Sequence, residues 1–156
     1  MRLLPCCMNA ALRYNRSGIR CMSRSTLAMD KKSGLILYAH GARDPRWAEP
    51  FRRLRDLVAR KAPDSVVMLA FLDYLEPDLA AVARQLSAQG IEQARLVPMF
   101  FGRGGHLRND LPKQLEVARK AAPGLAFTIT ESAGESEAVL EALAAFAIHA
   151  PAQAAG

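Results

Sequence analysis

Four short apolar runs, each closed by turn residues and each followed by a segment with helical spacing, leave this chain few ways to fold. The runs fall at residues 35–39 (LILYA), 66–71 (VVMLAF), 95–101 (RLVPMFF) and 125–130 (LAFTIT). Each is short, rich in branched or aromatic residues and bounded by turn formers, so each reads as a buried strand. After the first run the spacing predicts a helix over 49–61, with Trp47, Phe51, Leu54 and Val58 on one face. Pro50 falls in its first turn, where no N–H is needed. A second helix opens at Pro77-Asp78, carries Leu79, Val82 and Leu86 in register, and stops at Gly90. A third is expected to use Asp110 as N-cap, with Pro112 in its first turn and Leu111, Leu115 and Ala118 inward. The last, over 136–149, is expected to turn Leu140, Leu143, Phe146 and Ala147 to the core.

Strand and helix therefore alternate four times. That pattern implies a three-layer α/β fold: a four-stranded parallel sheet, helices on both faces, right-handed crossovers. Length and period suit a flavodoxin-like strand order, 2-1-3-4. In that order the sheet reverses direction between the first and third strands, and open α/β sheets bind ligands in the crevice at such a point.

Two histidines are placed to use that crevice. His40 follows the first strand directly, in HGARDP, and His106 follows the third strand, in GRGGH. Imidazoles converging from neighbouring strand ends can ligate a divalent metal, act as bases, or both. Asp73, just past the second strand, is the best carboxylate to complete a nitrogen and oxygen donor set. Glu76 is next, although its place before Pro77 also suits the start of a helix. His149, near the end of the last helix, has no such context.

Arg43, Arg46, Arg103 and Arg108 crowd the two histidine loops, which suits an anionic substrate bearing carboxylates. Gly41, Gly102, Gly104 and Gly105 serve as turn formers or let a flat, bulky ligand lie close to the backbone. The segment has neither the Gly-x-Gly-x-x-Gly spacing of a dinucleotide site nor a Gly-Lys-Ser/Thr phosphate loop.

Charge and cysteine usage narrow the function classes. The net charge is +6, but residues 1–29 hold five arginines and no acid, so the remainder carries only +1. With aromatic residues at 6%, the body offers neither a basic face nor stacking platforms for nucleic acid. No apolar run approaches the roughly 18 residues of a membrane span. Cys6, Cys7 and Cys21 all lie in the leader, so the body has no thiolate site. Arg-rich, acid-free composition resembles a transit peptide. The adopted expectation is plainer: residues 1–30 are an unstructured or non-native extension, with Met29 a natural alternative start. Residues 31–150 then form one domain, and 151–156 a frayed tail.

At HGARDP (40–45), AFLDYLEPDL (70–79), VPMFF (97–101) and GGHLRNDLP (104–112) the chain resembles the short, single-domain sirohydrochlorin chelatases, the CbiX-like class II chelatases. Order and spacing match from about Leu35 to the last helix. The resemblance implies insertion of Co²⁺, or of Fe²⁺ or Ni²⁺, into sirohydrochlorin during cobalamin or sirohaem biosynthesis. The metal is then a substrate, and no organic cofactor is expected. The resemblance also implies a cytoplasmic homodimer. It maps metal ligands onto His40 and His106, with His40 the proton acceptor, and a third onto Asp73, where many relatives have Glu. Gly41, Arg43, Glu76, Phe101, Gly102, Arg103, Gly104 and Gly105 are expected to meet the tetrapyrrole. Relatives commonly read HGS where Ala42 stands here. Two rivals remain: a carrier that binds metal or tetrapyrrole without inserting, and a histidine phosphatase. The latter wants an Arg before His-Gly, where this chain has Ala39.

Overall fold

The computed structural model describes residues 33–102 and 105–151, and of residues 105–108 the backbone alone. The leader with Met29, residues 152–156, Arg103 and Gly104, and the side chains of His106 and Arg108 lie outside the described residues.

The elements run β1 (Ser33–Ala39), α1 (Glu49–Lys61), β2 (Ser65–Phe71), α2 (Leu79–Ala88), β3 (Gln93–Pro98), α3 (Gly105–Ala121), β4 (Ala126–Ile129) and α4 (Glu137–His149). All strand pairings are parallel and the order is β2-β1-β3-β4, the order expected from the sequence. β1 is central, paired with β2 on one side and β3 on the other. Covered on both faces, it reads as a continuous apolar run instead of alternating.

Side chains alternate across a strand, so β1 feeds two cores. Ile36 and Tyr38 face α2 and α3, packing with Leu79, Val82, Leu86, Leu96, Leu111 and Leu115. Leu37 and Ala39 face the other way, with Leu69 and Phe71, onto the Phe51, Leu54 and Val58 stripe of α1. Ile36, Tyr38, Val82, Leu86 and Leu96 are wholly inaccessible, and full burial of an aliphatic side chain of this size is worth about 1.5–3 kcal/mol. α2 begins as its sequence predicts. Asp78 caps it, its carboxylate accepting the N–H of Ala81 at 2.6 Å, and Gly90 follows its end at φ +73°.

Three helix expectations need correction. α3 starts at Gly105, five residues before the expected N-cap, so Asp110 and Pro112 lie inside it. An Asp-Leu-Pro sequence looks like a helix start. Here Leu111, Leu115 and Ala118 are buried against the sheet and α2, and that packing outweighs the ~3 kcal/mol an interior proline costs. Trp47 does not join the inward face of α1. It belongs to a separate 3-10 turn, Pro45–Ala48, and is 54% exposed, while Ala48 is buried in its place. In α4 the residues expected to point inward are exposed: Leu140, Leu143, Phe146 and Ala147 all face solvent, as does Ile148. α4 packs mainly on the short turn before it, Ala133–Glu135.

Candidate active site at the carboxyl ends of the strands

His40 is the first residue past β1, and β1 ends rigidly. The N–H of Met99 donates to the carbonyl of Tyr38 at 2.7 Å from one side. The N–H of Leu72 donates to the carbonyl of Ala39 at 2.9 Å from the other. The His40 imidazole stands edge-on to the buried Phe100 ring, with centroids 4.4 Å apart and planes at 76°, while the residue itself is exposed. His40 thus has a fixed root and an accessible ring.

Asp73 is brought beside it. Its Oδ1 accepts the N–H of Gly41 at 3.0 Å, which seats the carboxylate one residue from His40. Gly41 is required for this contact and not for a positive φ. A Cβ there would overlap the carbonyl oxygen of Asp73 and stand 3.1 Å from the N–H nitrogen of Leu75. The Asp73 loop is tightly wound. Leu75 N–H donates to the Asp73 carbonyl at 2.6 Å, Tyr74 takes φ +54°, and Glu76-Pro77 is cis. The left-handed region is costly for a bulky residue such as tyrosine and marks a conformation imposed by its surroundings.

The third predicted ligand, His106, has its backbone in the first turn of α3, following β3, which neighbours β1. Its side chain lies outside the described residues. Among those residues, no three His, Cys, Asp or Glu side chains cluster at metal-binding distance. His40 and the His106 backbone follow β1 and β3, the two strands flanking the switch point.

Carboxylates surround the Tyr38 hydroxyl at this end of the sheet. The buried Tyr38 hydroxyl is pushed above the ordinary tyrosine range, first by burial and then by the charges of Asp110, Asp73 and Asp78. A cleft of about 350 Å³ opens beside it, lined by Leu72, Asp73, Asp110, Lys113 and Gln114. Lys113 partly offsets Asp110, at 3.6 Å.

The remaining predicted residues divide. Arg43 is exposed, its guanidinium carbon 5.7 Å from the centre of the Tyr74 ring, within cation–π range. Phe101 is 67% exposed at the end of the third strand run, and among the described residues nothing stands within 4 Å of where a Gly102 Cβ would be. Glu76 fills the helix-start role. Its Oε2 accepts the N–H of Asp78 at 3.0 Å, and it lines a groove under β2 with Arg52, Arg55 and Pro77. Arg46 is engaged locally, gripping Asp44 through Nε and Nη2 at 2.8–3.1 Å. Those bonds hold the Asp44 carboxyl below its usual range, while Asp44 also caps the 3-10 turn.

Sequence reasoning missed Tyr38, Gln114 and Tyr74. Tyr38 reads as one more strand apolar, and Gln114 as an ordinary helix glutamine. Tyr74 gave the one signal available, an aromatic residue in a short acidic loop.

A doubly wound parallel sheet of order 2-1-3-4, with its polar groups gathered at the carboxyl ends, is the frame of the chelatase-like α/β proteins. Solved structures share it. A cobalamin biosynthesis CbiX protein from Marinobacter aquaeolei matches with TM-score 0.66 and 28% identity, over 74% of this chain and 94% of that one. The sirohydrochlorin chelatase SirB of Bacillus subtilis, in complex with cobalt, matches in fold with TM-score 0.62 and 20% identity. That match covers 76% of this chain but 51% of SirB, so this chain spans about half the longer protein. The CbiX family model matches residues 34–149, and the chain belongs to that family. It is 30% identical over 110 residues to the sirohydrochlorin cobaltochelatase of Sulfurisphaera tokodaii, covering 70% of this chain and 87% of the relative. Identity to the cobaltochelatase of Methanosarcina barkeri is 32% over 89 residues, or 57% and 68% of the two chains.

Proposed function

We propose that this protein is a sirohydrochlorin chelatase that inserts a divalent metal, Co²⁺ foremost, into the tetrapyrrole. The carrying observation is the end of β1, where Gly41 lets the Asp73 carboxylate sit one residue from an accessible His40. Family membership supplies the reaction class.

The chemistry follows from the groups. Metallation must strip the pyrrole nitrogens of protons and hand over a metal. His40, His106 and Asp73 hold the ion through two nitrogens and one oxygen, leaving coordination positions open for the macrocycle. A neutral His40 takes a pyrrole proton as general base. The carboxylates of Asp73 and Asp110, which line one cleft, favour a cation at this end of the sheet. Arg43 meets a peripheral carboxylate, and the exposed rings of Tyr74 and Phe101 offer flat apolar surface to the macrocycle. Asp73 is one methylene shorter than glutamate, and its carboxylate is seated against the Gly41 N–H.

The working unit is residues 31–150, acting as a homodimer. Support for the dimer comes from α4, whose Leu140, Leu143, Phe146 and Ile148 are exposed and which has no buried residue. The direct test is anaerobic insertion into sirohydrochlorin with Co²⁺, Fe²⁺ and Ni²⁺ in turn, followed by absorbance. The wild-type chain is expected to turn over excess substrate, fastest with Co²⁺. His40→Ala and His106→Ala should lose at least 100-fold in rate, of the order a general base contributes, with unchanged circular dichroism. A native insertion rate in either variant would remove the ligand assignment.

A further inference from the structure

We infer that Gln114 is a positioning residue that locks together the three segments bearing His40, Asp73 and His106. The inference rests on the chelatase reading for its consequence, but its geometry stands alone. The Tyr38 hydroxyl donates to Gln114 Oε1 at 3.0 Å, and Gln114 Nε2 donates to the Leu72 carbonyl at 2.6 Å. Tyr38 lies on β1 two residues before His40. Leu72 directly precedes Asp73. Gln114 lies on α3 eight residues, about two turns, after His106. One side-chain amide therefore ties β1, the loop after β2, and α3.

The residue type fits the task. A planar amide accepts at one end and donates at the other. A lysine could donate to Leu72 but could not accept from Tyr38. A carboxylate could accept from Tyr38 but has no proton for Leu72. The Leu72 peptide is then pinned twice, its carbonyl to α3 and its N–H to the Ala39 carbonyl at 2.9 Å. Asp73 follows with little freedom and closes the ring on Gly41. A metal-transfer site tolerates little misplacement, so groups that orient its ligands matter nearly as much as the ligands.

The test uses Gln114→Leu, Gln114→Glu and Tyr38→Phe in the full chain. Four quantities are read: hydrogen exchange at the Gly41 amide, which reports the Asp73 bond; Co²⁺ affinity by titration without tetrapyrrole; and kcat and KM for sirohydrochlorin. Both Gln114 variants are expected to speed Gly41 exchange, weaken Co²⁺ binding and lower kcat, each about tenfold, with KM for sirohydrochlorin nearly unchanged. Tyr38→Phe keeps the bond to Leu72 and should move the same quantities less. A folded Gln114→Leu with native Gly41 exchange and native Co²⁺ affinity would overturn the inference. So would a loss appearing wholly in KM. Should Gln114→Leu fail to fold, Gln114→Glu and Tyr38→Phe decide by the same readings. A wild-type chain that inserts no metal would sink the chelatase reading instead, and Gly41 exchange would still judge the brace.

Discussion

At Gly41 a single hydrogen atom in place of a methyl group decides whether the Asp73 loop can close on His40. A Cβ would collide with backbone, which cannot rotate away as a flexible side chain can. Gly41→Ala should therefore cost about 1–3 kcal/mol in urea unfolding, as overpacking does, and weaken Co²⁺ binding about 10–100-fold through loss of the Asp73 seat. Tyr38 makes a different residue-scale prediction. Its folded pKa is raised above the ordinary 10.0. Above about pH 10 the unfolded chain releases a phenolic proton that the folded chain keeps. The stability tied to that proton is fully present below pH 10 and falls as pH rises past it, by up to about 1.4 kcal/mol per pH unit. Urea midpoints measured on either side of pH 10 should show this slope, and Tyr38→Phe should remove it.

Elements here obey local rules where their ends are local. Asp78 caps α2 and Pro50 sits in the first turn of α1, both placed as the sequence indicates. α3 breaks the pattern because its start is set by packing on the sheet and α2, and Asp110 then serves as an ordinary helix carboxylate paired with Lys113. α4 is the most informative departure. Alanine, leucine and phenylalanine make it a sound helix, yet its apolar surface is uncovered, with Phe146 69% and Ile148 75% exposed. A broad apolar helix face calls for a covering surface. A second copy of the chain supplies one in the proposed homodimer. An antiparallel pairing of two α4 helices would also bring Glu137 and Glu141 of one copy toward His149 of the other. Phe146→Glu is expected to weaken self-association at least tenfold in sedimentation equilibrium, with helix content unchanged. A variant that sediments like the wild type would remove α4 from the interface.

At the scale of the whole molecule, the strand order turns scattered motifs into one locality. β1 at the centre puts His40 between the Asp73 loop on the β2 side and the third-strand loop with α3 on the other. The smaller core, under α1, and the larger, under α2 and α3, hold β1 from both faces, so the residue leaving its end starts from a fixed point.

The sequence by itself determined the alternation of elements, the parallel sheet, and the positions of His40, Asp73 and the His106 backbone after successive strands, while the order 2-1-3-4 was suggested by it and fixed by the structure. These rest on periodicity and turn chemistry, which act over a few residues. Only the tertiary structure decided the contact of Gly41 with Asp73, the brace from Tyr38 through Gln114 to Leu72, the true start of α3 and the bare faces of α4. Each of these joins residues or surfaces set by packing between elements, up to 76 positions apart for Tyr38 and Gln114. No local pattern encodes which distant group will satisfy a buried hydroxyl or cover an apolar helix.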